Sequence, residues 1–153
     1  MALTSTQLRA LLDPDEPNYS TMATLLAPDD LPGLTELVNG PDPMLASKAA
    51  YAMTLIPDAS TIVAVKAALP SLHDVVRIAF AAGLPNLGEH DIEGVALQLL
   101  EDTDTGVRKI ATRTAGLLDR PALVAKLRSM AERDPEAGIR AMAKKAVEGS
   151  REA

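Results

Sequence analysis

Apolar and polar positions along this chain repeat at an interval of about 31 residues, and each interval holds two stretches of helical periodicity separated by a polar break. Leu45, Val76, Val107 and Ile139 hold the same place in four successive intervals, and Arg77, Arg108 and Arg140 follow three of them. A fixed period of roughly 20–50 residues marks a repeat architecture. Each unit is then one supersecondary element that buries its apolar face only by stacking on its neighbours.

The pattern predicts four helix pairs. Their first helices run over 31–39, 59–69, 91–101 and 121–132, and their second helices over 43–56, 74–84, 104–118 and 135–148. In the first helices Leu34, Val65, Ala96 and Leu127 share one column, and Leu37, Ala68, Leu99 and Met130 share another. In the second helices Val76, Ala79 and Gly83 match Val107, Ile110 and Thr114, the one-sided stripe of an amphipathic helix. Asp30-Leu31-Pro32, Asp42-Pro43 and Asp134-Pro135 each supply a capping carboxylate ahead of a proline near the first helical position. Asp58 and Asp119 stand before two further helix starts, and Gly40, Pro70, Pro85 and Gly149 stop helices. Upstream, Thr4–Leu12 and Tyr19–Ala27 read as two shorter helices, the first opened by a Thr4/Gln7 capping box. The expected organisation is a single domain over 1–153: N-terminal cap helices over 1–29, four repeats over 30–148, and a frayed polar tail over 149–153.

The segment Asp104-Thr105-Gly106-Val107-Arg108-Lys109-Ile110-Ala111 resembles the second helix of a HEAT repeat, with Asp-x-x-Val-Arg followed by small residues. Val75-Val76-Arg77-Ile78-Ala79 and Gly138-Ile139-Arg140-Ala141-Met142-Ala143 are similar. The short interval resembles bacterial HEAT-like repeats of the phycobilin-lyase type more than the longer eukaryotic form. The resemblance spans roughly residues 30 to 148. It implies an all-α, right-handed α-α superhelix, an armadillo-type solenoid whose second helices line the concave side. It also implies a ladder in which Arg77, Arg108 and Arg140 pair with turn aspartates of adjacent repeats. The first unit departs from the pattern, carrying Ala46 where the others carry arginine. Ankyrin repeats are disfavoured because no Thr-Pro-Leu-His segment occurs, and tetratricopeptide repeats because their tryptophan and tyrosine pattern is missing.

Composition sharpens this picture. Apolar residues make up 47% of the 153, yet Phe80, Tyr19 and Tyr51 are the only aromatics, so the core must be built from Leu, Ile, Val, Met and many Ala. The absence of cysteine removes disulfides, thiolate metal sites and thiol nucleophiles. No apolar stretch approaches the roughly 20 residues of a membrane span. Met1-Ala2-Leu3-Thr4 does not open a signal peptide, so the expected location is cytoplasmic. The net charge of -6 argues against broad affinity for nucleic acid. That charge is uneven: through Asp74 three basic residues face nine acidic ones, and beyond it there are twelve of each.

Candidate chemistry is sparse. His73 beside Asp74 and His90 after Glu89 read as polar turn residues. Among proteins of the family resembled, HEAT-like hydroxylases hold two irons with several His-Glu pairs on facing repeats; a single adjacent pair in reversed order does not support that site here. Glu101-Asp102-Thr103-Asp104-Thr105-Gly106 has the spaced carboxylates of a calcium loop, but the twelfth position from Asp102 is Arg113 and not glutamate. It reads as an acidic turn capping the next helix. Gly83-Leu84-Pro85-Asn86-Leu87-Gly88 has phosphate-loop glycine spacing but lacks the Lys-Ser or Lys-Thr that follows it, and so reads as a connecting loop. No nucleophile elbow occurs. No catalytic residue, metal or cofactor is therefore expected. An acidic chain without tryptophan also resembles poorly the HEAT-like DNA glycosylases, whose groove is basic.

What is left is surface. By register, one concave column is Tyr51, Ala82, Arg113 and Lys145, a second Ser47, Ile78, Lys109 and Ala141, and a third Ala50, Ala81, Thr112 and Lys144. The groove is then small, apolar and aromatic in its first half, and basic in its second through Arg108, Lys109, Arg113, Lys144 and Lys145. For the lysines and Arg113 a solvated helix face competes with a binding role. An apolar patch grading into positive charge suits an amphipathic, partly acidic protein segment. The leading expectation is a non-enzymatic interaction module, a scaffold or adaptor, that binds another protein through Tyr51, Ile78, Ala82, Arg108, Lys109, Arg113, Lys144 and Lys145. The alternatives are a chromophore-lyase-like HEAT protein and an acidic immunity or inhibitor protein that masks a basic partner with Asp13, Asp15, Glu16, Asp29 and Asp30.

Overall fold

A computed structural model describes residues 1–71 and 73–151. Among them it has ten α-helices: α1 (Ser5–Leu12), α2 (Tyr19–Leu25), α3 (Leu31–Val38), α4 (Pro43–Met53), α5 (Ala59–Ala68), α6 (Asp74–Gly83), α7 (Glu93–Leu100), α8 (Thr105–Leu118), α9 (Pro121–Arg133) and α10 (Ala137–Glu148). Short 3-10 turns lie at Pro28–Asp30 and Leu84–Leu87. The chain is an α-solenoid. The second helices α4, α6, α8 and α10 pack on one another in series, and the first helices α3, α5, α7 and α9 form a looser layer beside them.

The columns predicted from periodicity are the core. Leu34, Val65, Ala96, Leu127, Leu37, Ala68, Leu99 and Met130 are all buried, as are Val76, Val107 and Ile139, while Leu45 at the first unit is half-buried. One apolar cluster runs without interruption from Leu8 to Ala143. Each fully buried Leu, Ile or Met contributes roughly 1.5–3 kcal/mol, and in a stack most of that contribution exists only when the neighbouring unit is folded.

Small residues allow the second helices to approach closely. Ala46, Ala49 and Ala50 on α4, Ala79 and Gly83 on α6, and Ala111 and Ala115 on α8 are all buried. A Cβ at Gly83 would lie 2.8 Å from Thr54 Cβ, closer than real Cβ contacts come, so α6 can pass Thr54 only as glycine. The core's polar groups are satisfied at short range: Thr114 Oγ1 donates to the Ala81 carbonyl of the neighbouring helix at 2.7 Å, and Thr61 Oγ1 to the Ile56 carbonyl at 2.7 Å.

Several turn carboxylates act differently from the expected capping. Thr4 and Gln7 do form a capping box on α1, Asp42 accepts the N–H of Met44 and Leu45, and Asp58 accepts the N–H of Ser60. Asp30, however, does not cap α3. The 3-10 turn puts its own backbone in the helical region (φ -84°, ψ -12°), so its carboxylate turns back to accept the N–H of Leu3 at 2.7 Å and of Ala27 at 2.9 Å. Asp134 likewise does not start α10. It accepts the Glu136 N–H at 2.9 Å in a tight turn, and the helix begins only at Ala137. Asp119 sits in the left-handed region (φ 49°, ψ 51°) and ends α8 instead of capping α9. Its carboxylate accepts the Ser150 hydroxyl and, at 3.2 Å, both the backbone N–H and Nε of Arg151. Residues 150 and 151 are thus tied down where a frayed tail was expected; Glu152 and Ala153 lie outside the described residues.

Candidate interaction surface

Three equivalent turns precede second helices, and each is built the same way. At Ser71, Asp102 and Asp134 the side chain accepts the N–H two residues on, from His73 (3.2 Å), Asp104 (2.9 Å) and Glu136 (2.9 Å). The carbonyl of each accepts an Nη1 donor six residues on, from Arg77 (2.5 Å), Arg108 (3.0 Å) and Arg140 (2.6 Å). Two of these arginines, Arg77 and Arg108, reach forward to the next unit. Arg77 Nε donates to Asp102 Oδ2 at 2.7 Å and its Nη2 to Oδ1 at 3.2 Å. Arg108 does the same to Asp134 at 3.0 and 3.4 Å. The guanidinium fork suits this planar, two-point pairing, and each pair is mostly shielded from water.

The ladder therefore exists as the resemblance implied for Arg77 and Arg108, and it absorbs Arg108, which the sequence also offered as a groove residue; Arg140 reaches only the Asp134 carbonyl of its own turn. Arg108's side chain is only 11% exposed, and its guanidinium is committed to Asp134 and to the carbonyls of Asp102 and Thr103. The two departures at the start of the stack are coupled. Ala46 replaces the arginine of the first unit, and Ser71 replaces the aspartate that such an arginine would meet. Dropping both halves leaves no orphaned charge, whereas dropping one would be costly.

Ala50, Ala81 and Thr112 of the third predicted column are buried, so in its first three units that column faces the core and not the groove. The other groove positions fall into two groups. Lys109, Arg113, Lys144 and Lys145 are exposed, and none has a hydrogen-bond or ion-pair partner among the described residues. Ile78, Ala82 and Tyr51 are half-buried, so each shows only part of its side chain. Tyr51 carries a neighbour that the register did not indicate: Tyr19 of α2 lies with its ring centroid 4.7 Å away, tilted by 59°. Burial, and then the proximity of Tyr51, raise the Tyr19 phenol above its ordinary value. No sequence spacing links residues 19 and 51, since α2 belongs to the leading pair and stands outside the repeat register.

The motifs weighed for chemistry have structural occupations. In the acidic turn, Glu101 pairs with Lys126 at 2.9 Å, Asp102 with Arg77, and Asp104 accepts the Val107 N–H at the start of α8. The glycine-spaced segment from Gly83 forms a 3-10 turn. The carbonyls of Gly88 and His90 both accept Arg120, a staple between the α8–α9 turn and the loop before α7 that lay hidden because its acceptors are backbone.

Stacked helix pairs with an arginine–aspartate ladder between successive turns define a helical-repeat solenoid of the kind that presents one continuous surface. The protein-family model described as HEAT repeats matches residues 63–148, more than half of the 153. The chain belongs to the HEAT-repeat family. The match covers the three units carrying the Val-Arg or Ile-Arg signature and leaves out the one with Ala46; it does not extend to the finer phycobilin-lyase likeness. Comparison with curated proteins finds no match.

Proposed function

We propose that this chain is a non-enzymatic interaction module that holds an amphipathic, partly acidic segment of another protein along its second-helix layer. HEAT repeats as a class serve protein–protein interaction, and three features of this chain support the finer reading. Its second helices pack on one another more closely than its first helices, as the inner layer of a curved stack would. On that layer the cations divide sharply: Arg77, Arg108 and Arg140 are tied to turn acceptors, while Lys109, Arg113, Lys144 and Lys145 have no partner among the described residues. Beside them Ile78 and Ala82 offer partly open apolar surface. The unspent charge of those four side chains is the observation that carries the proposal, because structural cations in this fold are visibly consumed. Apolar contact would supply most of the affinity and the charges would steer and orient the segment.

The test is co-purification from the native host with the wild-type chain and with Ile78→Asp and Arg113→Glu variants, each checked for native helicity. We expect the same partner to be recovered with wild type and lost from both variants. Recovery of that partner undiminished by both would refute the assignment of this face.

A further inference from the structure

Of the three aromatic residues in this chain, Phe80 is fully buried in the core, while the other two meet beside the groove. Tyr19 and Tyr51 are half-buried, with ring centroids 4.7 Å apart and planes tilted by 59°. Among the described residues neither phenol has a hydrogen-bond partner, and neither oxygen is sealed from solvent. A tyrosine packed to complete a core usually finds a partner for its hydroxyl. This pair instead forms an aromatic corner that stays partly open on α4.

The approach to that corner is acidic. Lys48 Nζ donates to the Pro14 carbonyl at 2.8 Å, which holds the exposed residues Asp13, Asp15 and Glu16 against the helix that carries Tyr51. The same loop leads directly into α2, where the Pro17 carbonyl accepts the Tyr19 N–H at 3.0 Å. Through Tyr51 the chain carries two basic residues, Arg9 and Lys48, against seven acidic ones. From Thr105 to Lys145 it carries ten basic against four acidic. The two halves of the second-helix layer therefore present fields of opposite sign.

We infer that the Tyr19–Tyr51 corner receives a cationic side chain, an arginine or lysine of the same partner segment whose acidic part lies on Lys109, Arg113 and Lys145. The segment is then charge-polarised along its length. This rests on the reading that a segment lies along the second-helix layer. An ammonium or guanidinium within about 6 Å of a tyrosine ring is drawn to its negative face, and the carboxylates of the tied loop add to that attraction. The spacing is reachable. Only α6 stands between α4 and α8, so at about 8–10 Å per helix the two charged contacts are about 16–20 Å apart, or about five or six residues of extended chain. Half-buried Ile78 and Ala82 on α6 meet the apolar residues between them.

The chain has no tryptophan and no other tyrosine, so tyrosine emission reports on this corner alone. The probe is a synthetic peptide free of tyrosine and tryptophan, with arginines at one end, glutamates at the other and leucines between, the charges about six residues apart. Its twin carries neutral citrulline in place of arginine. Titrated into the full chain at low salt, the arginine peptide should change the tyrosine emission. By calorimetry it should bind at least about threefold tighter than its twin, the size of a cation–π contact on exposed rings. Tyr51→Leu should remove most of that preference, whereas Tyr51→Phe keeps a ring and should keep it. Asp15→Asn with Glu16→Gln should weaken it as well; both positions are exposed, so this variant reads the preference even where Tyr51→Leu fails to fold. Equal affinity for the two peptides overturns the cation site, as does a preference that survives both Tyr51→Leu and the loop variant. If binding without preference is still weakened by Arg113→Glu, the acidic-segment reading stands alone; if Arg113→Glu changes nothing, that reading falls too. An arginine peptide that does not bind at all overturns the cation site and leaves the acidic-segment reading to co-purification.

Discussion

A methyl group added at position 83 would meet Thr54 on α4's C-terminal turn, while one added at position 138 would meet nothing within 4 Å. The same substitution should therefore have opposite signs. Gly83→Ala forces α6 away from α4 and should lower stability by about 1–3 kcal/mol, the usual penalty of overpacking. Gly138→Ala, near the start of α10, should raise it by a few tenths up to about 1 kcal/mol through helix propensity. Urea unfolding of both variants decides the matter. Asp119 offers a test in pH. Its carboxyl is held below the ordinary carboxylate range, first by the Ser150 hydroxyl and then by the Arg151 backbone N–H, against an opposing desolvation. A folded-state pKa depressed below the unfolded value of about 3.9 gives stability that is fully present above that value and is lost as pH falls through the folded one. The difference in midpoint between wild type and Asp119→Asn should accordingly be largest at about pH 5 and shrink steadily towards about pH 2.

At the scale of elements, the turns before α8 and α10 are what lock one unit to the next. Each forward pair is mostly buried, with side chains 17% and 11% exposed in one and 11% and 4% in the other. Removing one partner leaves a poorly hydrated charge, so Asp102→Ala should cost about 2–4 kcal/mol, between the values for exposed and fully buried pairs. Arg77→Met in that background should cost far less than Arg77→Met alone, because the charge it removes has already lost its partner. A double-mutant cycle by chemical denaturation reads this coupling directly. Additive effects would mean that the rung is decorative.

For the whole molecule, a stack in which each unit touches only its neighbours predicts that damage stays local. The leading pair is held by its own devices: Asp30 receiving Leu3 and Ala27, Lys48 donating to the Pro14 carbonyl at 2.8 Å, and Tyr19 against Tyr51. Asp30→Ala exposes two backbone donors at a buried site, at a cost of about 1–3 kcal/mol. It should speed hydrogen exchange in α1 and α2 while leaving α7 to α10 protected as in the wild type. Exchange measured by mass spectrometry along the chain would show whether the loss instead spreads through the stack, as a single all-or-none core would require.

Periodicity alone located the helices, because the amphipathic stripe, the caps at Thr4, Asp42 and Asp58, and the stops at glycine and proline all act within a few residues. The ladder was legible as well, since Arg77, Arg108 and Arg140 recur at the repeat interval. What only stacking decided was how each polar side chain is used. Asp30 and Asp134 look like caps in sequence, but one ties down the N-terminus and the other accepts an arginine 26 residues upstream. In sequence Arg108 read first as a rung and also as a groove residue, and the next turn arriving beside it decided for the rung. Tyr19 on Tyr51 and Arg120 on two carbonyls had no local signal at all. A backbone cap is chosen by neighbours along the chain; a guanidinium or a ring is claimed by whatever the packed helices bring within reach.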